Sequence, residues 1–125
     1  MHASPFASIP PADTPDLDRR FGGLSRLYGP LGAQRITQAH AVVVGVGGVG
    51  SWAAEALARS GLGQLTLIDL DHVAESNINR QIQALDSTLG MSKVGALQAR
   101  FAQINPECRV NCVEEFVDAE NAAAL

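Results

Sequence analysis

The glycine-rich segment 45–50, with the sequence Gly-Val-Gly-Gly-Val-Gly, constrains the fold of this chain more than any other feature. It follows a short apolar run at 41–44 and precedes a segment at 51–60 whose composition is typical of a helix. A second apolar run, 64–68, ends on Asp69. Strand, glycine turn, helix, strand and acid in this order are typical of a nucleotide-binding βαβ unit, so we expect a nucleotide site at this turn.

Each glycine of the segment has an expected structural role. Gly45 lacks the Cβ that disfavours positive φ, so it suits a tight turn out of the first strand. Gly47 or Gly48 lets the backbone approach a phosphate, and Gly50 lets the helix pack close to the strand. Amide groups at the start of that helix point at the anion, and the helix dipole adds partial positive charge. Asp69 lies 24 residues after Gly45, close to the spacing of ~20 expected for an acid that binds ribose hydroxyls.

Length and composition limit the classes of protein and partner. A chain of 125 residues forms one domain at most. Its net charge of −4 gives no electrostatic case for binding of nucleic acid or membrane by this piece alone. No apolar run approaches the ~18 residues of a membrane span, and the N-terminus lacks the basic and apolar regions of a secretory signal. A cytoplasmic location is therefore the expectation.

The two cysteines, Cys108 and Cys112, fall in a segment that is predicted to be a strand. Extended chain between them separates their Cα atoms by about 13 Å, whereas a disulfide requires about 7 Å or less. They are therefore expected to be free thiols, to face the same side of the strand and to be buried.

The segments before the second apolar run predict a leader and several helices. Residues 1–18 contain four of the six prolines, which predicts a disordered Pro-rich leader. A short helix is expected at 24–28, ended by Gly29, and a second helix from Pro30 to about residue 39. The 51–60 helix is expected to bury side chains at helical spacing, namely Trp52, Ala53, Ala56 and Leu57.

The rest of the chain predicts one more helix and strand, and then a final helix. A helix begins after Ser92, whose side chain suits an N-cap, and the Asn105–Pro106 pair ends it. A strand follows at 109–113, and Asp118 is expected to cap a helix over 119–125.

These elements predict an α/β fold with three parallel strands. Right-handed crossovers place the strands in the order 3-2-1, the N-terminal half of a doubly wound, Rossmann-like sheet preceded by short helices. The order leaves the first strand with an unpaired edge, and the sequence stops inside a predicted helix. We therefore expect a fragment or a truncated product.

Two isolated cations suggest a role for the long connection after Asp69. Lys93 is the only lysine of the chain, and Arg80 is the only arginine between Arg59 and Lys93. The helix dipole disfavours a cation at a helix start unless an anion lies opposite, and a triphosphate supplies that anion. Arg80 offers a planar fork of donors to phosphate oxygens, whereas Lys93 acts as a point charge. The residues alone leave open whether both are ordinary surface cations.

Polar side chains around Arg80 extend the candidate site. Asn77, Asn79 and Gln81 supply neutral donors and acceptors, although asparagine is also common in turns. Asp71 either holds the loop or positions a magnesium ion through water.

Several segments resemble the ATP-binding half of the ubiquitin-activating-enzyme-like adenylyltransferases, namely Val43 to Gly50, Leu67 to Asp71, Ser76 to Gln81 and Gly90 to Lys93. Within that superfamily, other segments are most similar to the tRNA threonylcarbamoyladenosine dehydratases, namely Arg20 to Gly23 with Arg26 to Gly29, Ser51 to Arg59 and Asn79 to Ile82. The resemblance spans about residues 20–116. It implies that residues 19–125 are the N-terminal half of an ATP-binding adenylyltransferase domain.

The resemblance also implies a reaction and a set of contacts. Gly48 lies on the phosphates and Asp69 takes the ribose hydroxyls. The triphosphate of ATP, with the Mg²⁺ it carries, is bound by Asn77, Arg80 and Lys93. A carboxyl oxygen of the threonylcarbamoyl group on tRNA adenosine attacks the α-phosphorus, pyrophosphate leaves, and the acyl-adenylate closes into a ring. The implied substrate is tRNA, and the implied assembly is a homodimer.

The chain departs from the family pattern in two respects. The carrier-protein enzymes often place a second arginine three residues after the first, where it reaches the partner subunit's ATP; Gly23 occupies that position here, and Arg20 or Arg26 is the available substitute. The family's later acid, its reactive cysteine and its tRNA-facing surface lie beyond Leu125. This fragment alone is therefore expected to bind ATP poorly and to turn nothing over.

Three other interpretations stay open. One is adenylation of the C-terminus of a ubiquitin-like sulfur-carrier protein, with a carrier or a sulfurtransferase protein as partner. Another is an NAD- or FAD-dependent oxidoreductase, because the glycines and Asp69 also suit a dinucleotide. Against it, a hydride-transfer site has no obvious use for Arg80 and Lys93. The third is a non-catalytic, dimerising fragment.

Overall fold

A computed structural model describes residues 14–125. The elements in chain order are α1 (Leu17–Gln38), β1 (His40–Val44), α2 (Gly50–Arg59), β2 (Gln64–Ile68), α3 (Lys93–Ala102) and β3 (Arg109–Val113). Short 3-10 turns at Glu75–Asn77 and Asp86–Thr88 interrupt the connection between β2 and α3. Among these described residues, no helix has the length and apolar content needed to cross a bilayer.

The three strands form one parallel sheet in the order β1-β2-β3, which confirms the predicted order. Val44 pairs with Ile68, and Ile68 pairs with Val113, so the carboxyl ends of all three strands lie at the same edge. Ligands of open parallel sheets bind at this edge. The glycine turn and the connection from β2 to α3 both leave the sheet there.

The hydrophobic core lies between the central strand and two helices. β2 is buried from Leu65 to Ile68, as its continuous apolar run predicts. Helices α2 and α3 cover the strand with Ala54, Ala58, Val94, Leu97 and Phe101, all of which are inaccessible to solvent. Burial of each large apolar side chain stabilises a fold by about 1.5–3 kcal/mol. This packing fixes the sheet edge that carries the polar residues.

The buried face of α2 differs from the predicted one. Ser51, Ala54, Glu55 and Ala58 face the protein, whereas the predicted core residues Trp52, Ala53 and Ala56 are exposed and Leu57 is half-buried. A Cβ placed on Gly50 would lie 1.7 Å from the Gly45 carbonyl oxygen, so the first turn of the helix lies directly against the glycine turn. That close approach sets the rotation of the helix, and it leaves Trp52 53% exposed.

The N-terminal region forms a kinked helix. Residues 1–13 of the predicted leader lie outside the described residues. The prediction is wrong for its last two positions, because the Asp16 side chain accepts a hydrogen bond from the Arg19 N–H and α1 begins at Leu17. Gly29 interrupts the helix with φ 78°, and Pro30 follows it, as predicted. The first helix therefore begins earlier than the predicted residue 24.

The C-terminal prediction is wrong for the final helix. Residues after Asp118 form turns, in which the Asp118 side chain accepts hydrogen bonds from the Glu120 and Asn121 N–H groups.

Both cysteines are free, as predicted, and Cys108 is buried just before β3. Cys112 is exposed, contrary to the prediction. It lies on β3, which pairs with β2 alone among the described strands, so its surroundings are less covered than those of the central strand.

Candidate nucleotide-binding site

The glycine turn follows the conformation that its sequence predicts. Gly45 adopts φ 83° and donates its N–H to the Ile68 carbonyl oxygen at 2.8 Å, which ties the turn to the adjacent strand. Gly50 approaches the Gly45 carbonyl so closely that no side chain fits between them. The expected backbone roles of Gly45 and Gly50 are confirmed, while the approach of a phosphate to Gly47 or Gly48 stays a prediction.

Asp69 links the glycine turn to the loop after β2. Its Oδ2 accepts a hydrogen bond from the Val46 N–H at 2.9 Å, and its Oδ1 accepts one from the Asp71 N–H at 2.8 Å. Each carboxylate oxygen has a second acceptor position, and the residue is half-buried. Asp69 can therefore accept hydroxyl donors while it holds the two loops together.

A cavity of about 220 Å³ opens beside Asp69 at the carboxyl ends of the strands. It is lined by Gly45, by three acidic residues and by apolar residues; the acidic residues are Asp69, Asp71 and Glu115, and the apolar ones include Leu70, Phe116 and Val117. Such a mixture suits a sugar with an attached aromatic base. Sequence reasoning missed Phe116 and Val117. They follow β3, so the rule that ligands bind at the carboxyl ends of all strands could have found them.

Arg80 lies over the glycine turn. A Cβ placed on Gly48 would lie 3.5 Å from the Arg80 Cδ, so the aliphatic part of the side chain covers that glycine. The Arg80 Nη1 donates to the Ser76 carbonyl oxygen at 2.9 Å and to the Asn79 Oδ1 at 3.1 Å. Although Arg80 is exposed, these bonds hold the guanidinium and leave its Nε and Nη2 for another acceptor.

Lys93 is buried at the start of α3. Its side chain is 8% exposed, and its Nζ lies 3.9 Å from the Asp71 Oδ2, whose side chain is 64% exposed. The helix dipole is unfavourable for a cation at this position, and a partner at that distance compensates a desolvated ammonium weakly. Lys93 is therefore not an ordinary surface cation. An anion bound nearby would complete its surroundings.

Hydrogen bonds connect Lys93 to the glycine turn through the acidic residues. The Lys93 N–H donates to the Asp71 carbonyl oxygen at 3.0 Å. The Asp71 N–H donates to Asp69, which in turn accepts from the Val46 N–H. Both cations thus belong to the same edge of the sheet, Arg80 through its contact with Gly48 and Lys93 through this chain of bonds.

The amide side chains near Arg80 mainly brace the loop. Asn77 is 7% exposed, and its Oδ1 accepts the Ala74 N–H at 2.8 Å. The Oδ1 of Asn79 accepts from Arg80. Gln81 is 6% exposed, and its Nε2 would lie 3.6 Å from a Cβ on Gly47. Gln81 thus lies near the turn, whereas the Asn77 and Asn79 oxygens are occupied by the loop itself.

Sequence reasoning missed three side chains that fix the turn and the loop. Gln83, which is 1% exposed, donates from Nε2 to the Val46 carbonyl oxygen at 2.9 Å. The buried Ser51 hydroxyl donates to the Gly47 carbonyl oxygen. The Trp52 indole N–H donates to the Arg80 carbonyl oxygen at 2.7 Å. All three bind backbone carbonyls, and no periodicity or spacing in the sequence marks such contacts.

A larger cavity, of about 480 Å³, lies beside α3 and is lined by Arg59, Gln83, Met91 and Arg100 among others. Both arginines donate to the Glu55 carboxylate. Burial alone would raise the pKa of Glu55, but the hydrogen bonds from Arg100 and Arg59 outweigh it and hold the pKa below its usual value. The cluster keeps one net positive charge, but no residue of the glycine turn lines this cavity, so the smaller cavity at the turn is the better candidate for a nucleotide.

Several known proteins resemble this chain in sequence. The sequence profile of the ThiF family matches residues 18–125. The chain is 55% identical over 105 residues to a tRNA threonylcarbamoyladenosine dehydratase from Escherichia coli. The matched region covers 84% of this chain and 39% of the relative. It is 36% identical over 98 residues to an adenylyltransferase and sulfurtransferase, MOCS3, from Drosophila willistoni, covering 78% of this chain and 21% of that protein.

Solved structures give the same relationship. The E. coli dehydratase TcdA, in complex with ATP and in complex with AMP, superposes with a TM-score of 0.84 at 54% identity. The match covers 86% of this chain and 44% of that one. The chain spans about two fifths of the length of the E. coli dehydratase that it matches. Since the family profile covers most of its sequence, the chain belongs to the ThiF family.

Proposed function

We propose that this chain is the ATP-binding part of an enzyme that adenylates a carboxylate, and that this carboxylate belongs to the threonylcarbamoyl group on adenosine of tRNA. The observation that carries the proposal is the placement of Arg80 over Gly48, at the sheet edge that also holds the buried Lys93. Cations at such a position stabilise the negative charge on the phosphates during adenylation. The dehydratase at 55% identity supports the choice of substrate.

The residues of the site fit ATP. Because Gly48 has no side chain, the aliphatic part of Arg80 packs onto it, with the Arg80 Cδ 3.5 Å from the Cβ position, and this contact brings the guanidinium to the glycine turn. Lys93 has a carboxylate only at 3.9 Å, beyond the usual length of a charge-assisted hydrogen bond. Asp69 and the cavity beside it suit the ribose and the base. These features divide the site into a nucleoside part and a polyphosphate part.

The chain's own residues have defined roles in the proposed reaction. A carboxylate oxygen of the substrate attacks the α-phosphorus, the bond to the bridging oxygen breaks, and pyrophosphate leaves with the electron pair. Arg80 and Lys93 stabilise the charge on the phosphates, while Asp69 and the glycine turn hold the nucleotide in place. Closure of the acyl-adenylate into a ring then releases AMP. The sum of these steps removes one water from the substrate.

Magnesium is proposed to enter with ATP. Among residues 14–125, no three acidic, histidine or cysteine side chains are grouped as a metal site. The Asp71 carboxylate is 64% exposed beside Lys93, where it suits an outer ligand that reaches the ion through water.

The proposed partners follow from the same reaction. We infer tRNA as the substrate of the full-length enzyme, a cytoplasmic location where tRNA is modified, and a homodimer as in the resembling superfamily. Exposed apolar side chains on α1, namely Leu27, Tyr28 and Leu31, support a protein interface.

Of the two arginines that could reach a partner's ATP, Arg20 is already engaged, because it donates to the Gln103 and Ile104 carbonyl oxygens of its own chain. The exposed Arg26 is therefore the better candidate to reach a partner's ATP.

Pyrophosphate release by the full-length protein tests the substrate. With ATP and Mg²⁺, we expect release that requires tRNA bearing threonylcarbamoyladenosine and that is absent with unmodified tRNA. Arg80→Ala and Lys93→Ala should each abolish it. Release without tRNA, but dependent on a ubiquitin-like sulfur-carrier protein, would overturn the tRNA assignment.

Adenylation of a sulfur carrier is the second candidate, because the MOCS3 relative shares 36% identity with this chain.

An NAD- or FAD-dependent oxidoreductase would be distinguished by the ligand that it binds. A ligand at 100 times its dissociation constant stabilises a protein by about 2.7 kcal/mol, so ATP is expected to raise the melting temperature and NAD is not. Stabilisation by NAD that survives Arg80→Ala and Lys93→Ala would favour the oxidoreductase.

A further inference from the structure

We propose that Trp52 positions Arg80 for the outer phosphates of ATP, through the hydrogen bond from its indole N–H to the Arg80 carbonyl oxygen at 2.7 Å. This inference rests on the proposed function, since it assigns a role within the same ATP site. Trp52 is then a positioning residue, because it acts through Arg80 and makes no contact with the reacting atoms.

The surroundings of Trp52 argue against a role in core packing. The ring is 53% exposed, and the buried face of α2 is formed by Ser51, Ala54, Glu55 and Ala58. A half-exposed ring adds far less to stability than a buried one, because apolar stabilisation scales with the area removed from water. The contact of Trp52 that is specific in geometry is the one to the Arg80 carbonyl.

The other hydrogen bonds of Arg80 come from its own loop. Its N–H donates to the Asn77 carbonyl oxygen at 3.2 Å, and its Nη1 donates to Ser76 and Asn79. These bonds define the shape of the loop but not its position relative to the glycine turn. Within the described residues, the bond to Trp52 is the one hydrogen bond that joins Arg80 to α2, the helix that begins at this turn.

Loss of that bond should let the guanidinium move away from Gly48. The neighbouring Ile82 N–H donates to Ser51 at 3.4 Å, and Gln83 donates to Val46 at 2.9 Å, so the loop as a whole stays attached. The expected defect is therefore local. A small displacement of a phosphate-binding cation weakens binding of the phosphates that it touches, and it leaves the nucleoside part of the site unchanged.

Two substitutions at position 52 separate the hydrogen bond from the ring. Trp52→Phe removes the donor and part of the ring, while β-(3-benzothienyl)alanine at this position replaces the indole N–H by sulfur and keeps the shape. On the full-length protein, calorimetric titration should show that both changes raise the Kd for ATP by about five- to tenfold. The Kd for AMP, which lacks the outer phosphates, should stay within about twofold of the wild-type value.

Arg80→Ala is the reference variant. It should lower the affinity for ATP more than either change at Trp52. In the Arg80→Ala background, Trp52→Phe should cause no further loss of affinity, because the Trp52 bond acts through the guanidinium that has been removed. ATP binding at the wild-type level by the benzothienyl protein would overturn the positioning role and leave the proposed function intact. Equal losses for ATP and AMP, or additive losses in the double variant, would overturn it as well. Absence of ATP binding by the wild-type protein would instead defeat the proposed function.

Discussion

The glycine turn at 45–50 and the loop from Leu70 to Ser92 meet at the same edge of the sheet, but they are built by different means. The turn depends on missing side chains, since Gly45 requires positive φ and Gly50 leaves no space for a Cβ. The loop depends on side chains that bind backbone groups, such as Asn77 and Trp52. Substitutions should therefore act through steric clash in the turn and through lost hydrogen bonds or charge in the loop.

Gly50→Ala should give the largest effect. The new Cβ would lie 1.7 Å from the Gly45 carbonyl oxygen, so α2 must move off the turn, at a cost of about 3 kcal/mol or more. Urea unfolding measures this change in the free energy of unfolding.

Gly90→Ala is the matched control in the loop. Gly90 has φ +87° and no atom within 4 Å of its Cβ position, so only the backbone conformation is penalised, by about 1–2 kcal/mol. Similar losses at Gly50 and Gly90 would contradict the steric account of the turn.

Lys93→Met should separate binding from stability. Removal of the ammonium should raise the Kd for ATP by about 100-fold, which is the effect of losing one strong charged contact. The protein should become more stable by about 0.5 kcal/mol, because a cation at the positive end of a helix is removed. ATP calorimetry and urea unfolding test the two parts. A variant that loses 2 kcal/mol or more of stability but binds ATP normally would show that Lys93 is structural.

Gly48→Ala should lower the affinity for ATP without changing the stability of the fold. Its Cβ would meet the Arg80 Cδ at 3.5 Å, an ordinary van der Waals distance, so the free energy of unfolding should change by less than about 0.5 kcal/mol. The methyl group occupies space between Arg80 and the turn, which should weaken ATP by about tenfold. Unchanged ATP affinity would mean that the phosphates do not approach Gly48.

Glu55→Gln should have the smallest effect on nucleotide affinity, because Glu55 lies outside both the glycine turn and the loop. Although burial opposes it, hydrogen bonds from Arg100 and Arg59 hold the pKa of Glu55 in the folded protein below its ordinary value of 4.5. The ionised carboxylate therefore stabilises the protein fully above that pH, and this stabilisation is lost as the pH falls through the lower folded pKa. At pH 7 the variant should be less stable by about 1–2 kcal/mol.

The pH dependence gives the check on that interpretation. Unfolding at pH 7 and near pH 3 should show the difference between wild type and Glu55→Gln shrinking in acid, while ATP affinity at pH 7 is unchanged. A difference that grows in acid would have the wrong sign for a carboxylate with a lowered pKa.

The frame of the fold was largely predictable because short apolar runs define its strands. The bounds of β2 and β3 agree with the predicted 64–68 and 109–113. The rotation of α2 was not predictable from apolar content, because the exposed Trp52 and Ala53 are more apolar than the buried Ser51 and Glu55. A single backbone contact at Gly50 decides between the faces. The Ala-rich segment 119–125 suggested a helix, but no packing partner within the described residues stabilises one.

The candidate site was predictable by residue type but not by contact. Lys93 stood out as the only lysine, and Arg80 as the only arginine between Arg59 and Lys93. Nothing in their spacing indicated that Arg80 would be exposed and Lys93 buried. The supports supplied by Trp52 and Gln83 end on backbone carbonyls. Such contacts depend on how the loop folds, which a single sequence does not specify.

A crystal structure of the full-length protein with a non-hydrolysable ATP analogue tests the central claim most directly. We predict that the Arg80 guanidinium and the Lys93 Nζ each lie about 2.7–3.2 Å from oxygens of one polyphosphate held over Gly48. A polyphosphate bound away from the turn, or one that leaves either cation beyond hydrogen-bonding distance, would contradict the account.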